Sequence, residues 1–412
     1  MARQKALNQE NLRAHNIGVV LSAILRSREP VSRAHIARTT GMTKAAISII
    51  VSDLIEHKVL EEGEPQQLAS TGKPSNPLEF VAGQWLGLGV QVHTDGYGFM
   101  LQDFNGTVVH EKWVDDVHNL SNPAAVLRVL DTMINPVVEE LKAQGAHILG
   151  GGLAVPGMVT SDGVLVDAPN LGWKNIDLMA TPLVQHYDLT PLNEANLAAI
   201  AQIPGYAVSC LKQDVSGSHA ASADSFIYIS TDVGVGGAVV DRGTLVSGNS
   251  GVSGEIGHLS VSMGGPVCRC GRRGCMEMYA GRKALLNAAG CAQSATFDAD
   301  SGFAWISQKL VGSDAKVDDV MVEATRAMAS AIVSTINVLD ITTVIIGGFW
   351  TRFGLNWLNQ LETSVSTQLN AVHKNKLHIT FPAVDDHAAL RGSAEFGLRL
   401  LIDQAGQYLR TE

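Results

Sequence analysis

Three of the chain's five cysteines lie close together, at Cys268, Cys270 and Cys275, and His258 precedes the first of them by ten residues. A Cys-x-Cys spacing is awkward for a disulfide between those two residues, so a redox pair explains the cluster poorly. One imidazole and three thiolates complete a tetrahedral zinc site. We therefore predict that these four residues bind one Zn²⁺ per chain. With all four positions filled by protein, the ion is structural.

Two glycines next to these cysteines, Gly271 and Gly274, would allow the sharp turns that such a loop needs. The alternative is a loop with three unpaired thiols, although free cysteines seldom cluster in this way outside a metal site. A structural zinc ion would hold the cysteine loop in one conformation. Which residues that loop positions depends on the rest of the chain.

Length and composition indicate a multidomain globular protein. The chain has 412 residues, 46% of them hydrophobic, and at roughly 150 residues per domain two or three domains are expected. No apolar run is long enough for a membrane helix. The start, "MARQKALNQENLRAHN", lacks the apolar core and cleavage site of a signal peptide. Sparse cysteine and a thiolate metal site favour the reducing cytoplasm, so we expect a cytoplasmic protein without a membrane partner.

Charge is distributed unevenly along the chain. Residues 1–60 hold nine Lys and Arg against four Asp and Glu, a net charge of +5, whereas residues 61–412 hold 21 against 36, a net charge of -15. This pattern is expected when only the basic segment meets a polyanion.

The basic segment has the pattern of a helix-turn-helix. A first amphipathic helix is predicted by apolar residues at helical spacing, namely Ile17, Val20, Leu21, Ile24 and Leu25. Ser32 is a good N-cap for a short second helix that stops at Gly41. Thr43 caps a third helix, which is long enough to lie in a groove of DNA.

Two short extended runs follow around a tip rich in glycine, proline and serine, and they predict a hairpin wing. The solvent face of the third helix shows small and polar residues that suit base edges, together with Ile49, while basic residues suit phosphates. We predict duplex DNA as the partner. The predicted DNA-binding residues are Arg33, Thr43, Lys44, Ala45, Ser48 and, at the wing tip, Lys73. A three-helix protein-interaction module is the alternative.

From Trp85 onward short apolar strands alternate with helical stretches, which indicates an α/β architecture. The runs "WLGLGVQV", "GYGFMLQD" and "GTVVHEKWV" predict a three-strand meander, and "SFIYIST" with "VGVGGAVV" predicts a second hairpin. A helix is predicted over about 123–144 and a buried strand at "TVIIGG". A meander at the start of each half indicates a duplicated, actin-like pair of lobes with a cleft between them.

Several specific motifs span most of the chain: "LAVPGMV", "APNLGWKNIDL", "NEANLAAIAQ", "GVGGAVV" followed by "GEIGH", the cysteine cluster and "VIIGG". In these motifs the chain resembles the ROK family of repressors, open reading frames and sugar kinases, and specifically its winged-helix regulators. The resemblance implies a winged helix-turn-helix followed by a two-lobed, actin-like or ribonuclease H-like ATPase fold with a zinc knuckle. The expected domains are 1–82, a first lobe 83–195 completed by 386–412, and a second lobe 196–385 with the zinc site.

The resemblance also implies a hexose-binding cleft between the lobes. Carboxylates, amides and an imidazole are the hydrogen-bond partners that vicinal hydroxyls need. His258 would bind zinc through one nitrogen and face the sugar with the other, and Glu194 is expected to accept a hydrogen bond from a ligand hydroxyl. The predicted sugar-binding residues are Asn170, Asn193, Glu194, Glu255, His258 and Glu277.

Three departures from the kinase members argue against phosphoryl transfer. Kinases carry a phosphate loop Asp-x-Gly-Gly-Thr where this chain has Gln91, Val92 and His93, and a β-branched Val92 hinders close approach of a phosphate. In the second loop, Asp232 would place a negative charge beside nucleotide phosphates. Glu194 stands where the kinases have their aspartate base, and its extra methylene displaces the carboxylate. We predict no enzymatic activity and no ATP binding.

The sequence thus predicts a dimeric or tetrameric transcriptional regulator, a repressor of carbohydrate uptake or catabolism genes. A sugar or sugar derivative would change the closure of the lobes and so the separation of two DNA-binding heads, which must fit half-sites about 34 Å apart. Ile49 stands where an arginine is common in family regulators. We therefore do not expect this protein to recognise the operator sequence of a known family member. Two alternatives remain: a ROK-type sugar kinase with an added DNA-binding domain, and a regulator that senses a partner protein instead of a sugar.

Overall fold

The N-terminal part consists of three helices and a hairpin. The computed structural model describes residues 9–27, 30–65, 75–116, 120–205, 223–291, 299–385 and 387–409. The elements of this part, called the head below, are α1 (Gln9–Leu25), α2 (Arg33–Thr40), α3 (Lys44–Glu56), β1 (Leu60–Glu62) and β2 (Leu78–Phe80). The two strands pair antiparallel, as the wing prediction requires. The predicted wing tip with Lys73 lies outside the described residues.

Local side chains explain where the helices of the head begin and end. Ser32 Oγ accepts a hydrogen bond from the amide of His35 at 3.3 Å and so caps α2. Gly41 ends this helix with a φ of 73°, which an L residue rarely adopts. Thr43 Oγ1 accepts a hydrogen bond from the amide of Ala46 at 3.2 Å. These three predictions are confirmed.

We expect Thr43→Ala to destabilise α3 by about 1 kcal/mol, because the first-turn amide loses its acceptor. Thr43→Ser keeps the hydroxyl and should behave like the wild type. Hydrogen exchange of the α3 amides in the full-length chain measures the effect. Equal exchange rates in the alanine and serine variants would show that the cap contributes nothing.

Lobe 1 is built on a mixed sheet that begins with the predicted meander. Its elements are β3 (Trp85–Val92), β4 (Gly96–Asp103), β5 (Val108–Asp115), α4 (Pro123–Ala143), β6 (His147–Ile148), β7 (Gly151–Val155), β8 (Met158–Val159), β9 (Val164–Ala168), β10 (Trp173–Asp177), α5 (Pro182–Tyr187), β11 (Leu189–Asn193) and α6 (Glu194–Ile200). The strand order is β11-β7-β3-β4-β5, with β6 also beside β3. Strands β3 to β5 are antiparallel, whereas β7 and β11 continue the sheet in parallel. The short strands β8 to β10 form a separate sheet.

Lobe 2 repeats this plan. Its elements are β12 (Phe226–Thr231), β13 (Val235–Asp241), β14 (Thr244–Leu245), α7 (Glu277–Ala280), α8 (Arg282–Ala289), α9 (Ala299–Val311), α10 (Ala315–Leu339), β15 (Thr343–Gly348), α11 (Gly354–Ser366), α12 (Ala371–Lys374) and β16 (His378–Thr380). The strand order is β14-β13-β12-β15-β16. An antiparallel hairpin again opens the sheet, and parallel strands β15 and β16 continue it.

The chain ends with α13 (Ala388–Asp403) and α14 (Ala405–Tyr408), and α13 connects lobe 1 with the head. It packs on β3, β7 and α6 on one side and against α1 on the other. Gly18 of α1 permits this contact, since an added Cβ would lie 2.4 Å from the carbonyl oxygen of Ile402. Leu398 and Leu401 of α13 are buried in the same apolar cluster as Leu21 of α1. The head and lobe 1 therefore share a core; the domain boundaries at 82 and 195 stay predictions.

In the part of the chain that the structure describes, no helix combines the length and the apolar character required to span a bilayer.

Candidate functional site

A cleft of about 250 Å³ lies between the two lobes. This volume lies just below the range for small-molecule pockets, roughly 300–1,000 Å³. The structure brings all six predicted sugar ligands to its lining, namely Asn170, Asn193, Glu194, Glu255, His258 and Glu277. Their contact with a sugar stays a prediction.

The junction of β11 and α6 places two of these residues. Asn193 caps α6, with its Oδ1 accepting from the amide of Ala195 at 2.8 Å, and its Nδ2 donates to the carbonyl oxygen of Gly157 at 2.6 Å. The amide oxygen and the amide nitrogen of Asn193 are thus both held by hydrogen bonds. The next residue, Glu194, has a buried Oε2 without a hydrogen-bond donor among the described residues. A ligand hydroxyl would supply the donor that this oxygen lacks.

A charged network joins the two lobes at the cleft. His93, just after β3, has its Nε2 3.1 Å from Asp232 Oδ2, just after β12, and 3.6 Å from Glu194 Oε2. Its Nδ1 contacts Asp95, and Arg282 Nη2 lies 3.1 Å from Asp232 Oδ1. Asp232 is paired within the protein, because an imidazole and a guanidinium contact its two oxygens. Its repulsion of nucleotide phosphates stays a prediction.

The protonation states follow from this geometry. Burial lowers the pKa of His93, but the carboxylates of Glu194, Asp232 and Asp95 outweigh burial and hold that pKa well above its ordinary value. Burial raises the pKa of Glu194, and His93 opposes the rise only in part. Burial also acts to raise the pKa of Asp232, but the hydrogen bond from His93 leaves it below the ordinary value. The contacts therefore favour the cationic form of His93, held between carboxylates of both lobes.

We expect His93→Gln to destabilise the protein in a pH-dependent manner. Because folding raises the pKa of His93, its contribution is fully present below the unfolded-state value of roughly 6.5 and is lost as the pH rises through the folded-state value. The difference in unfolding free energy between the wild type and His93→Gln should therefore shrink with rising pH. Urea unfolding over a pH series measures it, with His15→Gln, at an exposed histidine of α1, as the control. A difference that does not change with pH would contradict this assignment of charge.

The histidine and three cysteines converge as predicted. One donor atom from each of His258, Cys268, Cys270 and Cys275 lies within 4.8 Å of the other three. The Sγ atoms of Cys270 and Cys275 are 3.6 Å apart, and Cys268 Sγ is 3.5 Å from His258 Nδ1. Tetrahedral bonds of about 2.3 Å separate sulfur ligands by about 3.8 Å. The four residues could therefore hold a metal ion, and their donor set fits zinc.

The cysteine loop is a tight turn that glycine makes possible. Gly271 and Gly274 have φ values of 86° and 67°, and a Cβ on Gly274 would lie 1.7 Å from the carbonyl oxygen of Ser262. Isolated antiparallel bridges join Ser260 to Cys275 and Val267 to Arg273. The prediction that the two glycines form the turns is confirmed.

The cysteine loop positions Arg269 and His258 at the cleft. The Nη1 and Nη2 atoms of Arg269 both lie 3.5 Å from Asn170 Oδ1 of lobe 1, and its Nε lies 3.7 Å from Glu277 Oε1 of lobe 2. His258 faces the cysteines with Nδ1, while its Nε2 lies 3.8 Å from Glu255 Oε2 in the cleft. A metal bound here would fix side chains that contact both lobes.

Asp167 and Arg269 are two of the cleft residues that were not predicted as site residues from the sequence. Asp167 lines the cleft, and its buried Oδ1 has no hydrogen-bond partner among the residues described, with Lys174 Nζ 3.8 Å away. A charged residue in the otherwise apolar run "VLVDA" was the available signal. Arg269 stands between two predicted metal ligands, and this position was the signal for its placement.

On the head, α3 presents an exposed face that includes three predicted DNA-binding residues, Lys44, Ala45 and Ser48. Arg33 is engaged within the protein, since its Nη2 lies 2.9 Å from Glu62 Oε1 on the wing strand β1. Its Nη1 also approaches the carbonyl oxygen of Ser48 at 3.5 Å. Arg33 therefore ties α2 to the wing and to α3, and its contact with a phosphate stays a prediction.

Two lobes that each begin with an antiparallel hairpin and continue in parallel strands, with a cleft between them, define an α/β protein of the actin-like ATPase type. The family model of the ROK family matches residues 88–399, which is most of the chain. The chain therefore belongs to this family.

Several known proteins are similar to this chain. The xylose repressor of Bacillus subtilis (strain 168) is 33% identical over 275 residues, 66% of this chain and 67% of that protein. The xylose repressor of Caldicellulosiruptor bescii is 25% identical over 402 residues, 93% of this chain and 96% of that protein. An N-acetylmannosamine kinase of Escherichia fergusonii is 29% identical over 264 residues, 62% of this chain and 80% of that protein.

Among solved structures, a ROK family transcriptional regulator described as a homolog of the E. coli MLC protein has a TM-score of 0.75. The match covers 97% of this chain and 98% of that chain at 20% identity. This likeness establishes the fold over nearly the whole chain, including the helices of the head.

Proposed function

We propose that the protein is a DNA-binding transcriptional regulator, a repressor of carbohydrate uptake or catabolism genes, whose DNA affinity is set by a sugar in the cleft. The observation that carries this proposal is that one chain contains both a DNA-binding type of surface and a ligand-binding type of cleft. One is a basic head with an exposed helix face, and the other is a cleft lined by carboxylates, amides and an imidazole. The relatives named xylose repressor support it.

The charges of the cleft favour an unphosphorylated sugar. Five carboxylates line it, and the nearby cations are fewer, chiefly His93 and Arg269. A sugar phosphate would bring about two more negative charges to the same space and meet net repulsion. A neutral sugar instead offers hydroxyl donors to acceptors such as Glu194 Oε2 and Asp167 Oδ1, both buried without a donor among the described residues. We propose a neutral monosaccharide, with xylose as the first candidate because of the named relatives.

The head can respond to the cleft through shared packing. The common core of α1 and α13 makes the head follow lobe 1, so a change of closure between the lobes moves the head relative to lobe 2. In the dimer or tetramer that we propose, such movement alters the separation of two heads and their fit to paired half-sites. We further propose that the four-residue cluster binds one structural Zn²⁺ that holds Arg269 and His258 in place.

Isothermal titration calorimetry of the full-length chain tests the sugar proposal. We expect binding of at least one neutral sugar from a panel of xylose, glucose and N-acetylmannosamine, and no binding of the corresponding phosphates. Tighter binding of a sugar phosphate would contradict the charge reasoning. If no sugar binds, a regulator that senses a partner protein is favoured instead.

A sugar kinase with an added DNA-binding head is the second candidate, favoured by the kinase relative and by the retained elements Glu255, His258 and "VIIGG". The contact between His93 and Asp232 opposes it, because it joins the two hairpin turns where the kinases of the family are expected to hold nucleotide phosphates. We therefore propose that the protein is not an enzyme and binds no ATP. A coupled ADP-release assay over a hexose panel decides, and turnover at about 1–100 s⁻¹ would establish the kinase.

A further inference from the structure

The outward face of α3 carries one large apolar side chain. Ile49 is 68% exposed, the highest exposure of any large apolar residue described in the head. Four other large apolar residues of α3 are buried in the core of the head, namely Ile47, Ile50, Val51 and Leu54. The exposure of Ile49 therefore does not follow from the packing of the helix, whose apolar stripe is already complete.

Small residues flank Ile49 on the same face. At about 100° per residue, positions 45 and 52 lie within about 60° of position 49 around the helix axis, one on each side along the helix. Ala45 and Ser52 occupy these positions, and both are exposed. Short side chains allow the helix to approach a partner closely, so that the side chain of Ile49 reaches it first.

Charge indicates what kind of partner meets this face. Residues 1–60 carry a net charge of +5 while the remainder of the chain carries -15. A polyanion is thus attracted to the head and repelled by the body. A helix with an exposed face of small side chains also fits the major groove of duplex DNA, which is about 12 Å wide.

The chemistry of the groove selects one base for Ile49. The major-groove edges of the bases present hydrogen-bond donors and acceptors, and the C5-methyl of thymine is their apolar group. An isoleucine side chain can satisfy no donor or acceptor, so placing it against any other group removes water without replacing its hydrogen bond. We propose that Ile49 determines specificity by packing on the C5-methyl of a thymine in each half-site, an inference that rests on the proposed DNA-binding function.

Replacing thymine with deoxyuridine tests this contact, because it removes the methyl and leaves the hydrogen-bonding edge intact. The probe is the duplex that the full-length protein selects most tightly from a random-sequence library, with deoxyuridine placed at one thymine at a time. We expect one thymine per half-site at which the substitution weakens binding about fourfold, the effect of one buried methyl group.

The variant Ile49→Ala should bind the thymine and deoxyuridine duplexes equally at that position. The side chain is exposed, so this change leaves the core of the head intact. Leu12→Ala, which truncates a 48% exposed leucine on α1, is the matched control and should keep the fourfold preference.

The possible outcomes are distinguishable. If the wild type binds duplexes but deoxyuridine weakens none of them, Ile49 reads no methyl and the inference is overturned while the regulator proposal stands. If deoxyuridine weakens binding equally in the wild type and in Ile49→Ala, another residue contacts the methyl group. That result also overturns the inference. If no duplex binds at all, the proposed function fails together with this inference.

Discussion

Cys270→Ser should abolish metal binding and weaken sugar binding by at least about tenfold. Zinc needs four ligands in a closed structural site, and serine replaces a thiolate with a hydroxyl that stays protonated. Without the ion the His258 side chain loses its tie to the three sulfurs, and the cysteine loop keeps only contacts such as that of Arg272 Nη1 with the carbonyl oxygen of His258 at 3.3 Å. Arg269 then loses its fixed position near Asn170 and Glu277, and the loss of charged hydrogen bonds of this kind costs about 1.5–3 kcal/mol. Oligomer formation should also weaken, because the loop becomes disordered.

Elemental analysis of protein purified without chelators measures the first effect, and calorimetry with the bound sugar measures the second. Cys291→Ser is the matched control, since Cys291 is a buried cysteine of the lobe 2 core outside the cluster. It should keep a full complement of zinc and wild-type sugar affinity. A wild type with well under one zinc per chain, or a Cys270→Ser variant that retains its zinc, would contradict the assignment.

Glu194→Asp should lower sugar affinity by about 1–3 kcal/mol and produce no kinase activity. The shorter side chain withdraws a buried acceptor from a ligand hydroxyl. It also restores the aspartate that the kinases of the family carry at this position, so a protein that had lost only its base would regain phosphoryl transfer. We expect none, because the contact of His93 with Asp232 is unchanged and leaves a γ-phosphate without a position.

Calorimetry and an assay of ATP-dependent sugar phosphorylation measure the two effects. Glu323→Asp, at an exposed glutamate of α10, is the control and should match the wild type in both. DNA affinity without sugar should hardly change, because Glu194 lies in the cleft and not on the head. Measurable phosphorylation by Glu194→Asp would show that the turns after β3 and β12 still accept a nucleotide.

The sequence predicted the features that depend on neighbouring residues. The caps at Ser32 and Thr43 depend on amides three residues away, and strands such as "TVIIGG" were evident from their composition. The cysteine cluster was also evident, because its spacing is short and its residue types bind metals. In each case the determining groups lie within one element or one loop.

The charge pairings of the cleft and head could not be predicted in this way. The contact of His93 with Asp232 and that of Arg33 with Glu62 each join residues from different elements. Their positions depend on how the lobes and the wing pack. The two residues of each pair lie far apart in the sequence, so no local pattern indicates that they meet. For this reason neither the partners of Asp232 nor the contact of Arg33 with Glu62 was predicted.

The regulator proposal is tested most directly by fluorescence anisotropy with duplex DNA from upstream of the gene, across a salt series and with increasing sugar. We expect binding that weakens steeply with salt, and a further loss of about 5–150-fold when the sugar saturates the cleft. Affinity that stays the same with saturating sugar would contradict control by the cleft. No salt-dependent binding to the upstream DNA or to any genomic fragment would contradict the proposal altogether.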